Sequence, residues 1–295
     1  MHGRFPLKIS SIAKYLKNIK IGFLVLLRSI KLRYPFRFIK YQLINLLNYT
    51  FIYPAVRLIL GNKKALTICN FFETTFCSSG ILSLPSPFRS KIIIPKHISY
   101  YMLYLETYLA DVYYMEMLSE GMNIIDIGAY IGTYTVLAAE KVGNTGKVIA
   151  IEPEPKNYKQ LIENINLNGF KNVIPKNIAL TDHEGLEKLY LSFSSGGYSL
   201  VFQEDKNSYI EVPVKTLDRL LGELNLKKVD IIKIDAEGAE IPILKGAEET
   251  LEANPNVKIF VASYHYPSEV KEVCKFLNER GFKVKISQNG IVMNI

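Results

Sequence analysis

The sequence predicts an α/β fold, with a mostly parallel sheet covered by helices on both faces and a basic, mainly helical extension at the N-terminus. From Gly121 onwards, short apolar runs typical of buried strands alternate with segments of helical periodicity. Such alternation gives a parallel sheet with right-handed crossover connections. The first 72 residues contain 13 Lys or Arg and neither Asp nor Glu. We therefore divide the chain into an extension, residues 1–98, and an α/β domain, residues 99–295.

The extension interleaves basic residues with apolar and aromatic ones between residues 14 and 60. Its apolar run at 21–27 is too short to cross a bilayer, which takes about 20 residues, and polar residues interrupt the run at 43–60. We predict amphipathic helices that lie at a membrane surface, with basic side chains reaching the headgroups. Two alternatives stay open: helices that dock on the α/β domain, and a segment that grips nucleic-acid phosphates.

The cysteines and the charge distribution indicate the cellular compartment. The three cysteines have no metal-ligand spacing, and their odd number argues against the disulfide framework of a secreted protein. Of the 36 basic residues, 23 follow residue 72 and stand against 28 acidic ones, so the body of the protein is mildly acidic. We expect a cytoplasmic location, at the cytoplasmic face of the membrane where the extension meets lipid.

The elements of the α/β domain follow one another in chain order. Predicted strands span residues 123–129, 147–152, 173–180, 230–235, 257–264, 283–287 and 291–295, with a hairpin-like stretch at 186–214. Predicted helices span residues 131–142, 155–168, 216–224, 240–253 and 268–280. The last two strands are joined through Asn289 and Gly290, a hairpin signal, so the last strand is expected to enter the sheet antiparallel. Upstream, residues 91–94 are predicted as a short strand and 100–118 as a helix.

The end of the first strand predicts a cofactor site, because ligands bind beyond the carboxyl ends of strands in open α/β sheets. The segment Ile124-Ile-Asp126-Ile-Gly128-Ala129-Tyr-Ile-Gly132-Thr133 runs from a buried strand through a glycine turn into a helix. Gly128 and Gly132 let the backbone approach a ligand closely. The spacing differs from the dinucleotide pattern, and Asp126 would repel a pyrophosphate. The turn therefore favours a cofactor carrying a sulfonium and an amino acid, with a purely structural turn as the alternative.

The next two strand ends add candidate contacts to the same cofactor. Glu152 ends the second strand 20 residues after Gly132, a placement suited to a carboxylate that accepts hydrogen bonds from ribose hydroxyls. In the third strand, the backbone of Ala179 and the carboxylate of Asp182 could bind an adenine ring. A cap of the following turn is an equal alternative for Asp182.

The fourth strand ends in the segment Lys233-Ile-Asp235-Ala-Glu237-Gly238-Ala-Glu240, which carries more charge than packing requires. Strand alternation places Lys233 and Asp235 on the same side, toward a catalytic cleft. Glu237 follows in the turn. Glu240 lies near the next helix start, where a carboxylate interacts favourably with the helix dipole.

Taken together, these segments resemble the FkbM family of S-adenosylmethionine-dependent methyltransferases over about residues 121–286. The resemblance implies a Rossmann-like class I methyltransferase sheet, S-adenosyl-L-methionine as cofactor and a sugar or polyketide hydroxyl as acceptor. It implies that Asp126, Gly128, Gly132 and Glu152, with the intervening Ala129 and the following Thr133, form the cofactor site, and that Lys233, Asp235 and Glu237 face the acceptor. The chain departs from the family where Tyr130 replaces a common Asn and where Tyr264, not an acid, precedes His265.

Methyl transfer to a hydroxyl requires in-line positioning and a base that takes the proton as the bond forms. His265, with an ordinary pKa near 6.5, is one candidate base, and Asp235 and Glu237 are the others. No metal is expected, although two carboxylates could hold one. We therefore expect an O-methyltransferase acting on a sugar, glycolipid or other lipid-linked hydroxyl. The alternatives are an RNA methyltransferase that uses the basic extension and a catalytically inactive binding module.

Overall fold

The computed structural model describes residues 80–83, 88–95, 115–192, 197–202, 207–287 and 290–294. The larger of two compact units in the chain comprises Ile81–Ile93 and Asp111–Ile295, and it contains the central sheet. The predicted amphipathic helices at 14–60 lie outside the described residues, as does most of the helix predicted at 100–118, whose end forms a 3-10 turn at Met115–Met117. None of the helices in the described part has both the length and the apolar character needed to cross a bilayer.

Short strands and helices alternate along the chain. The strands are β1 (Gly80–Ser83), β2 (Lys91–Ile94), β3 (Asn123–Ile127), β4 (Lys147–Ile151), β5 (Val173–Lys176), β6 (Ala179–Leu180), β7 (Gly185–Tyr190), β8 (Tyr209–Lys215), β9 (Ile231–Ile234), β10 (Lys258–Ala262), β11 (Val284–Ile286) and β12 (Ile291–Asn294). The helices are α1 (Thr133–Val142), α2 (Pro155–Leu167), α3 (Leu217–Glu223), α4 (Glu240–Lys245), α5 (Glu248–Ala253) and α6 (Glu269–Glu279).

The central sheet has seven strands in the order β11-β12-β10-β9-β3-β4-β5. The five strands from β10 to β5 are parallel, and β12 pairs antiparallel with both β10 and β11. The prediction of a mostly parallel sheet whose last strand is antiparallel is therefore confirmed. This topology places the ends of β3, β4, β9 and β10 at one edge of the sheet.

Both faces of the sheet are covered, which explains why its strands are apolar along their whole length. On one face, Ile125 and Ile127 of β3 belong to a buried cluster with residues of α3 to α6. On the other face, Ile124 is fully buried, and helix α1 packs against β3 and β4. The alternating pattern of the sequence thus produces the predicted three-layer arrangement.

The predicted strand at 173–180 is interrupted, which corrects the sequence interpretation. Strand β5 stays in the central sheet, whereas β6 joins a separate three-stranded sheet in the order β6-β8-β7. Between them, the side-chain amide of Asn177 donates to the backbone oxygens of Glu152 and Pro153 at 2.8 and 2.9 Å. The predicted hairpin-like stretch is confirmed, because β7 and β8 pair antiparallel.

The predicted helix at 240–253 is also wrong as a single element, since it divides into α4 and α5 around Gly246. This glycine packs against the backbone at the end of β6. A Cβ atom at Gly246 would lie 2.1 Å from the carbonyl oxygen of Thr181. The break is therefore imposed by a tertiary contact that helical periodicity does not reveal.

Candidate functional site

The glycine turn between β3 and α1 fits tightly between two neighbouring strand ends. Gly128 has a φ of 73°, and a Cβ atom there would lie 1.8 Å from the carbonyl oxygen of Asp235. The N–H groups of Gly128 and Ala129 both donate to Ile151 O, at 3.0 and 2.9 Å. The turn accordingly presents backbone with little side-chain cover at the edge where β3, β4 and β9 end.

The second glycine of the turn, Gly132, is the N-cap of α1 and has a φ of 90°. A Cβ atom at Gly132 would lie 2.6 Å from Leu161 Cδ1 of helix α2. Thr133 follows as the first residue of α1 and is buried. The two glycines therefore allow conformations and contacts that other residues do not permit.

Asp126 and Lys233 form a buried ion pair beneath the turn. Asp126 is fully buried, Lys233 Nζ lies 3.1 Å from Asp126 Oδ1, and Thr135 Oγ1 donates to Asp126 Oδ2 at 2.5 Å. The Lys233 ammonium also donates to the carbonyl oxygen of Gly128 at 2.7 Å. These contacts tie β3, α1 and β9 together and hold the glycine turn in place.

This placement of Lys233 differs from the expected one. Its side chain is 5% exposed and its ammonium contacts the underside of the glycine turn, instead of facing an acceptor together with Asp235. Asp126 and Lys233 are register partners on adjacent parallel strands, so their side chains share a face. A direct role of Lys233 at the acceptor stays a prediction that this geometry does not favour.

Glu152 lies at the end of β4 and links the glycine turn to helix α2. Its carboxylate accepts the N–H groups of Tyr130 at 2.9 Å and Glu154 at 3.0 Å. Burial raises the pKa of Glu152 to about 7, although the hydrogen bonds from Glu154 and Tyr130 oppose the shift. Each carboxylate oxygen can accept further hydrogen bonds, so the predicted contact to ribose hydroxyls is chemically feasible.

The two predicted adenine contacts lie in different environments. Ala179 is buried in β6, where it pairs with Val214 of β8. Asp182 lies in the exposed turn that follows, and its carboxylate contacts His183 Nδ1 at 3.0 Å. This hydrogen bond lowers the pKa of Asp182. Binding of adenine by these residues stays a prediction.

A second group of polar side chains meets where β9 and β10 end. We call Asp235, Glu237, Glu240, His265 and Glu269 the His265 cluster. His265 Nε2 lies 3.6 Å from Asp235 Oδ1 and 3.7 Å from Glu237 Oε2. The cluster is next to the glycine turn, because the carbonyl oxygen of Asp235 lies against Gly128.

The opposite side of the imidazole is held by two buried carboxyl groups. Glu269, the first residue of α6, accepts the backbone N–H of His265 at 2.8 Å, and its Oε2 lies 3.2 Å from His265 Nδ1. Glu240, the first residue of α4, lies at the expected helix start and accepts the N–H of Ala236 at 2.8 Å. Its Oε1 is 3.5 Å from His265 Nδ1. The ring is thereby fixed with Nε2 directed toward Asp235 and Glu237.

The carboxylates change the protonation expected for His265. Burial lowers its pKa, but Asp235 and Glu269, followed by Glu240 and Glu237, outweigh burial and raise the pKa to about 11. Burial, reinforced by Glu269, raises the pKa of Glu240 to about 9. Without a ligand the imidazole therefore carries both protons at neutral pH, which is unfavourable for the base with a pKa near 6.5 that the sequence suggested.

Aromatic side chains lie beside this cluster, and we call Phe202, Tyr264 and Tyr266 the aromatic rim. Phe202 packs over Gly238, where a Cβ atom would lie 2.4 Å from its ring, and it meets Tyr266 edge-on with centroids 6.1 Å apart. Tyr264 packs against the His265 ring at 4.7 Å and is 52% exposed. Apolar surface is thus available next to the carboxylates.

Comparison with known sequences identifies the family. The chain matches the methyltransferase FkbM domain over residues 126–284, which is more than half of its length. It belongs to the FkbM methyltransferase family. The protein is accordingly an S-adenosylmethionine-dependent methyltransferase, as the resemblance in the motifs indicated.

Several relatives and solved structures are similar to this FkbM methyltransferase. Hexuronic acid methyltransferase AglP of Haloferax volcanii is 26% identical over 176 residues, covering 59% of this chain and 69% of the relative. Methyltransferase sdnD of Sordaria araneosa is 26% identical over 214 residues, covering 62% and 82%. Among solved structures, a SAM-dependent methyltransferase from Aquifex aeolicus is 21% identical with a TM-score of 0.38, covering 65% of this chain and 93% of the other.

The cofactor-side residues of this FkbM methyltransferase suit S-adenosylmethionine. Gly128 leaves no room for a side chain at the turn, Glu152 offers a carboxylate at the neighbouring strand end, and the charge of Asp126 is already matched by Lys233. Asp126 therefore shapes the turn from below. Its direct contact with the cofactor stays a prediction.

The sequence interpretation missed several residues that build the site. Glu269 holds His265 from four positions further along, at a helix start, so a local signal for it existed. Ser199 and Phe202 come from the segment after β7 and reach the site only through the fold. The hydroxyl of Ser199 donates to the carbonyl oxygen of Glu237 at 2.6 Å. Nothing in the local sequence around residue 199 predicts this contact.

Proposed function

We propose that this enzyme transfers the methyl group of S-adenosylmethionine to a hydroxyl oxygen of a sugar, glycolipid or other lipid-linked acceptor. The observation that carries the proposal is the position of the His265 cluster immediately beside the glycine turn. Asp235 joins the two regions, since its backbone contacts Gly128 and its side chain lies 3.6 Å from the imidazole. An acceptor held by the His265 cluster is therefore adjacent to the glycine turn.

In this proposal the chain contributes positioning and proton acceptance. Bound S-adenosylmethionine supplies an electrophilic methyl group. The glycine turn and Glu152 hold the cofactor, while a carboxylate of Asp235 or Glu237 accepts the hydrogen bond of the acceptor hydroxyl and takes its proton. His265 fixes the position of these carboxylates and is itself fixed by Glu269. Both carboxylates are partly exposed, 25% for Asp235 and 32% for Glu237, so an acceptor can reach them.

Two observations support a sugar as the acceptor. A saccharide has apolar ring faces and hydroxyl edges, and the aromatic rim and the carboxylates offer apolar surface and hydrogen-bond acceptors side by side. The relative AglP, which is named a hexuronic acid methyltransferase, is similar over 59% of this chain.

The basic extension supports a lipid-linked form of the acceptor. Its 13 basic residues without an acid in residues 1–72 suit a surface of anionic headgroups. Such a surface would concentrate the enzyme where a lipid-linked sugar is presented.

An acceptor panel tests the proposal. The enzyme, residues 1–295, is incubated with S-adenosylmethionine and, separately, a uronic acid glycoside, a neutral glycolipid and a short RNA, and products are characterised by mass spectrometry and NMR. We expect a methyl ether on a saccharide. Glu237→Gln should lower kcat by about 100-fold, the usual scale for loss of a general base, whereas the exposed Glu279→Gln should not change it. Methylation of RNA alone, or of a nitrogen or carbon atom, would contradict the proposal.

A further inference from the structure

We propose that Asp235, Glu237 and His265 form a binding site for one divalent cation of the Mg²⁺ or Mn²⁺ class. The observations that indicate this cation site are geometric. The role assigned to the cation in activating the acceptor hydroxyl rests on the proposed function. The sequence did not predict a metal site, because two carboxylates were its only evident metal ligands.

The spacing of the three side chains fits a single ion. One ligand atom from each residue lies within 4.8 Å of the others. The two separations measured from His265 Nε2 are 3.6 Å to Asp235 Oδ1 and 3.7 Å to Glu237 Oε2. Two ligand atoms that are each about 2.1 Å from an ion lie about 3.0 Å apart at a right angle and about 4.2 Å apart when opposite. The two separations measured from His265 Nε2 fall between these limits.

The imidazole nitrogen that faces this position is an independent sign of a ligand. The His265 side chain is 5% exposed, and its Nε2 atom, although it faces Asp235 and Glu237 as ion-pair partners, makes no hydrogen bond in the part of the chain that the structure describes. A buried polar atom without a hydrogen bond is costly. Directed at two carboxylates at 3.6 and 3.7 Å, it marks a position that a cation would satisfy.

The other ring nitrogen is held as it is in known metal sites. Histidines that bind metals through one nitrogen usually donate the other N–H to a carboxylate, which fixes the ring. Here Nδ1 lies 3.2 Å from Glu269 Oε2, and Glu269 also accepts the backbone N–H of His265. A cation at the site takes the place of the proton at Nε2.

The backbone of Glu237, beside the proposed cation position, is held in an uncommon conformation. It has a φ of 51°, an uncommon conformation for a residue with a side chain. Ser199 Oγ bonds to its carbonyl oxygen, and the same hydroxyl accepts the N–H groups of Val201 and Phe202. Such strained conformations persist where surrounding contacts enforce them, often at functional sites.

The ligand types indicate the class of cation. Carboxylate and water ligands suit Mg²⁺ and Mn²⁺, whereas imidazole suits metals such as Zn²⁺ and Fe²⁺. With two carboxylates to one imidazole, the ligand set favours the Mg²⁺ and Mn²⁺ class. The partial exposure of Asp235 and Glu237 leaves coordination positions for water or for the acceptor oxygen. A hydroxyl bound to such a cation loses its proton more readily. The neighbouring set of Glu240, His265 and Glu269 is less suitable, because both of its carboxyl groups are fully buried.

Electron paramagnetic resonance of Mn²⁺ tests the site without requiring turnover. Mn²⁺ is titrated into the metal-free protein, residues 1–295, and the loss of the free-ion signal measures binding. We expect one Mn²⁺ per chain, displaced by excess Mg²⁺. Glu237→Gln and His265→Ala should each weaken binding at least about tenfold, whereas the exposed Glu279→Gln, a matched Glu-to-Gln change, should leave it unchanged.

Calorimetry and the acceptor panel described above make the outcome decisive. Calorimetric S-adenosylmethionine binding by each variant shows that it has folded, so that lost Mn²⁺ binding reports on the site. Absence of Mn²⁺ binding by the wild-type protein, or equal binding by Glu237→Gln and the control, would overturn the cation site. If Mn²⁺ binds as expected but no hydroxyl acceptor is methylated, the cation site stands and the proposed function fails.

Discussion

In the proposed site, the cofactor side, formed by the glycine turn with Asp126 and Lys233, and the acceptor side, formed by the His265 cluster, are built differently. On the cofactor side, the charge of Asp126 is matched by Lys233, and the glycine turn is packed against backbone. On the acceptor side, one imidazole is surrounded by four carboxyl groups from two chain segments, residues 235–240 and the start of α6. The first arrangement is rigid and internally neutralised, which suits binding. The second is polar, partly open and unusually acidic, which suits proton transfer and ion binding.

The largest effect that tests this difference is expected from Gly128→Ala. The added Cβ would collide with the backbone of Asp235, which cannot move aside as a flexible side chain could. We expect a loss of about 4 kcal/mol in the free energy of unfolding and no detectable S-adenosylmethionine binding. Denaturant unfolding and calorimetry measure the two quantities.

The matched control is Gly222→Ala in helix α3, where the new methyl group meets nothing within 4 Å. We expect it to stabilise the protein by about 0.5–1 kcal/mol, as alanine does relative to glycine in helices. If Gly128→Ala were tolerated as well as this control, the tight packing of the turn would be disproved.

A somewhat smaller effect is expected from Lys233→Met, which leaves the fully buried Asp126 without its cation. Removing one partner of a buried ion pair costs about 3 kcal/mol. We expect the double variant Asp126→Asn/Lys233→Met to be more stable than Lys233→Met alone, as measured by denaturant unfolding. Equal stability of the two variants would mean that the pair is not coupled.

Glu152 predicts a dependence of stability on pH. Its pKa is about 7 in the folded protein and 4.5 as an ordinary value, so between these pH values the folded state binds more protons than the unfolded state. Stability contributed by this group is therefore present below pH 4.5 and falls as the pH rises to about 7. Relative to Glu152→Gln, the wild-type free energy of unfolding should drop by up to about 3 kcal/mol across this window. A flat difference between the two proteins would show that the carboxylate is not penalised by burial.

The smallest effect is expected at the aromatic rim. Phe202→Ala should raise the KM for a saccharide acceptor about tenfold, or 1.4 kcal/mol, and change kcat less, because the ring is placed to hold the acceptor and not to react. Leu186→Ala, at a side chain that is 69% exposed on β7, is the control and should leave both constants unchanged. Steady-state kinetics with the acceptor found in the panel separates KM from kcat.

The positions of the residues at strand ends were predictable because each position depends only on a strand and the turn that directly follows it. Asp126, Gly128 and Glu152 are local features of a strand and the turn after it, and the fold leaves them where periodicity places them. Lys233 was expected to face the acceptor, whereas in the structure its ammonium contacts Asp126 and the glycine turn, for a physical reason. Lys233 meets Asp126 because β9 lies next to β3, and neither segment by itself indicates which strands are neighbours.

Other differences arise from contacts between distant segments. The break at Gly246 depends on the Thr181 carbonyl, and the interruption of the third strand coincides with the amide of Asn177. The pKa of His265 departs from its ordinary value mainly because Asp235, after β9, and Glu269, at the start of α6, lie beside the imidazole. Sequence periodicity gives the elements, but these electrostatic and packing effects appear only once the elements are assembled.

The division between a binding side and a reacting side is tested most directly by calorimetric titration of S-adenosylmethionine into three proteins: wild type, Glu152→Ala and Asp235→Asn. We expect Glu152→Ala to weaken binding at least tenfold, about 1.4 kcal/mol, because it removes the carboxylate that holds Tyr130 of the glycine turn. Asp235→Asn should bind the cofactor as tightly as the wild type while losing methyl transfer. Equal weakening by both substitutions would contradict the division, and unchanged binding by Glu152→Ala would remove Glu152 from the cofactor site.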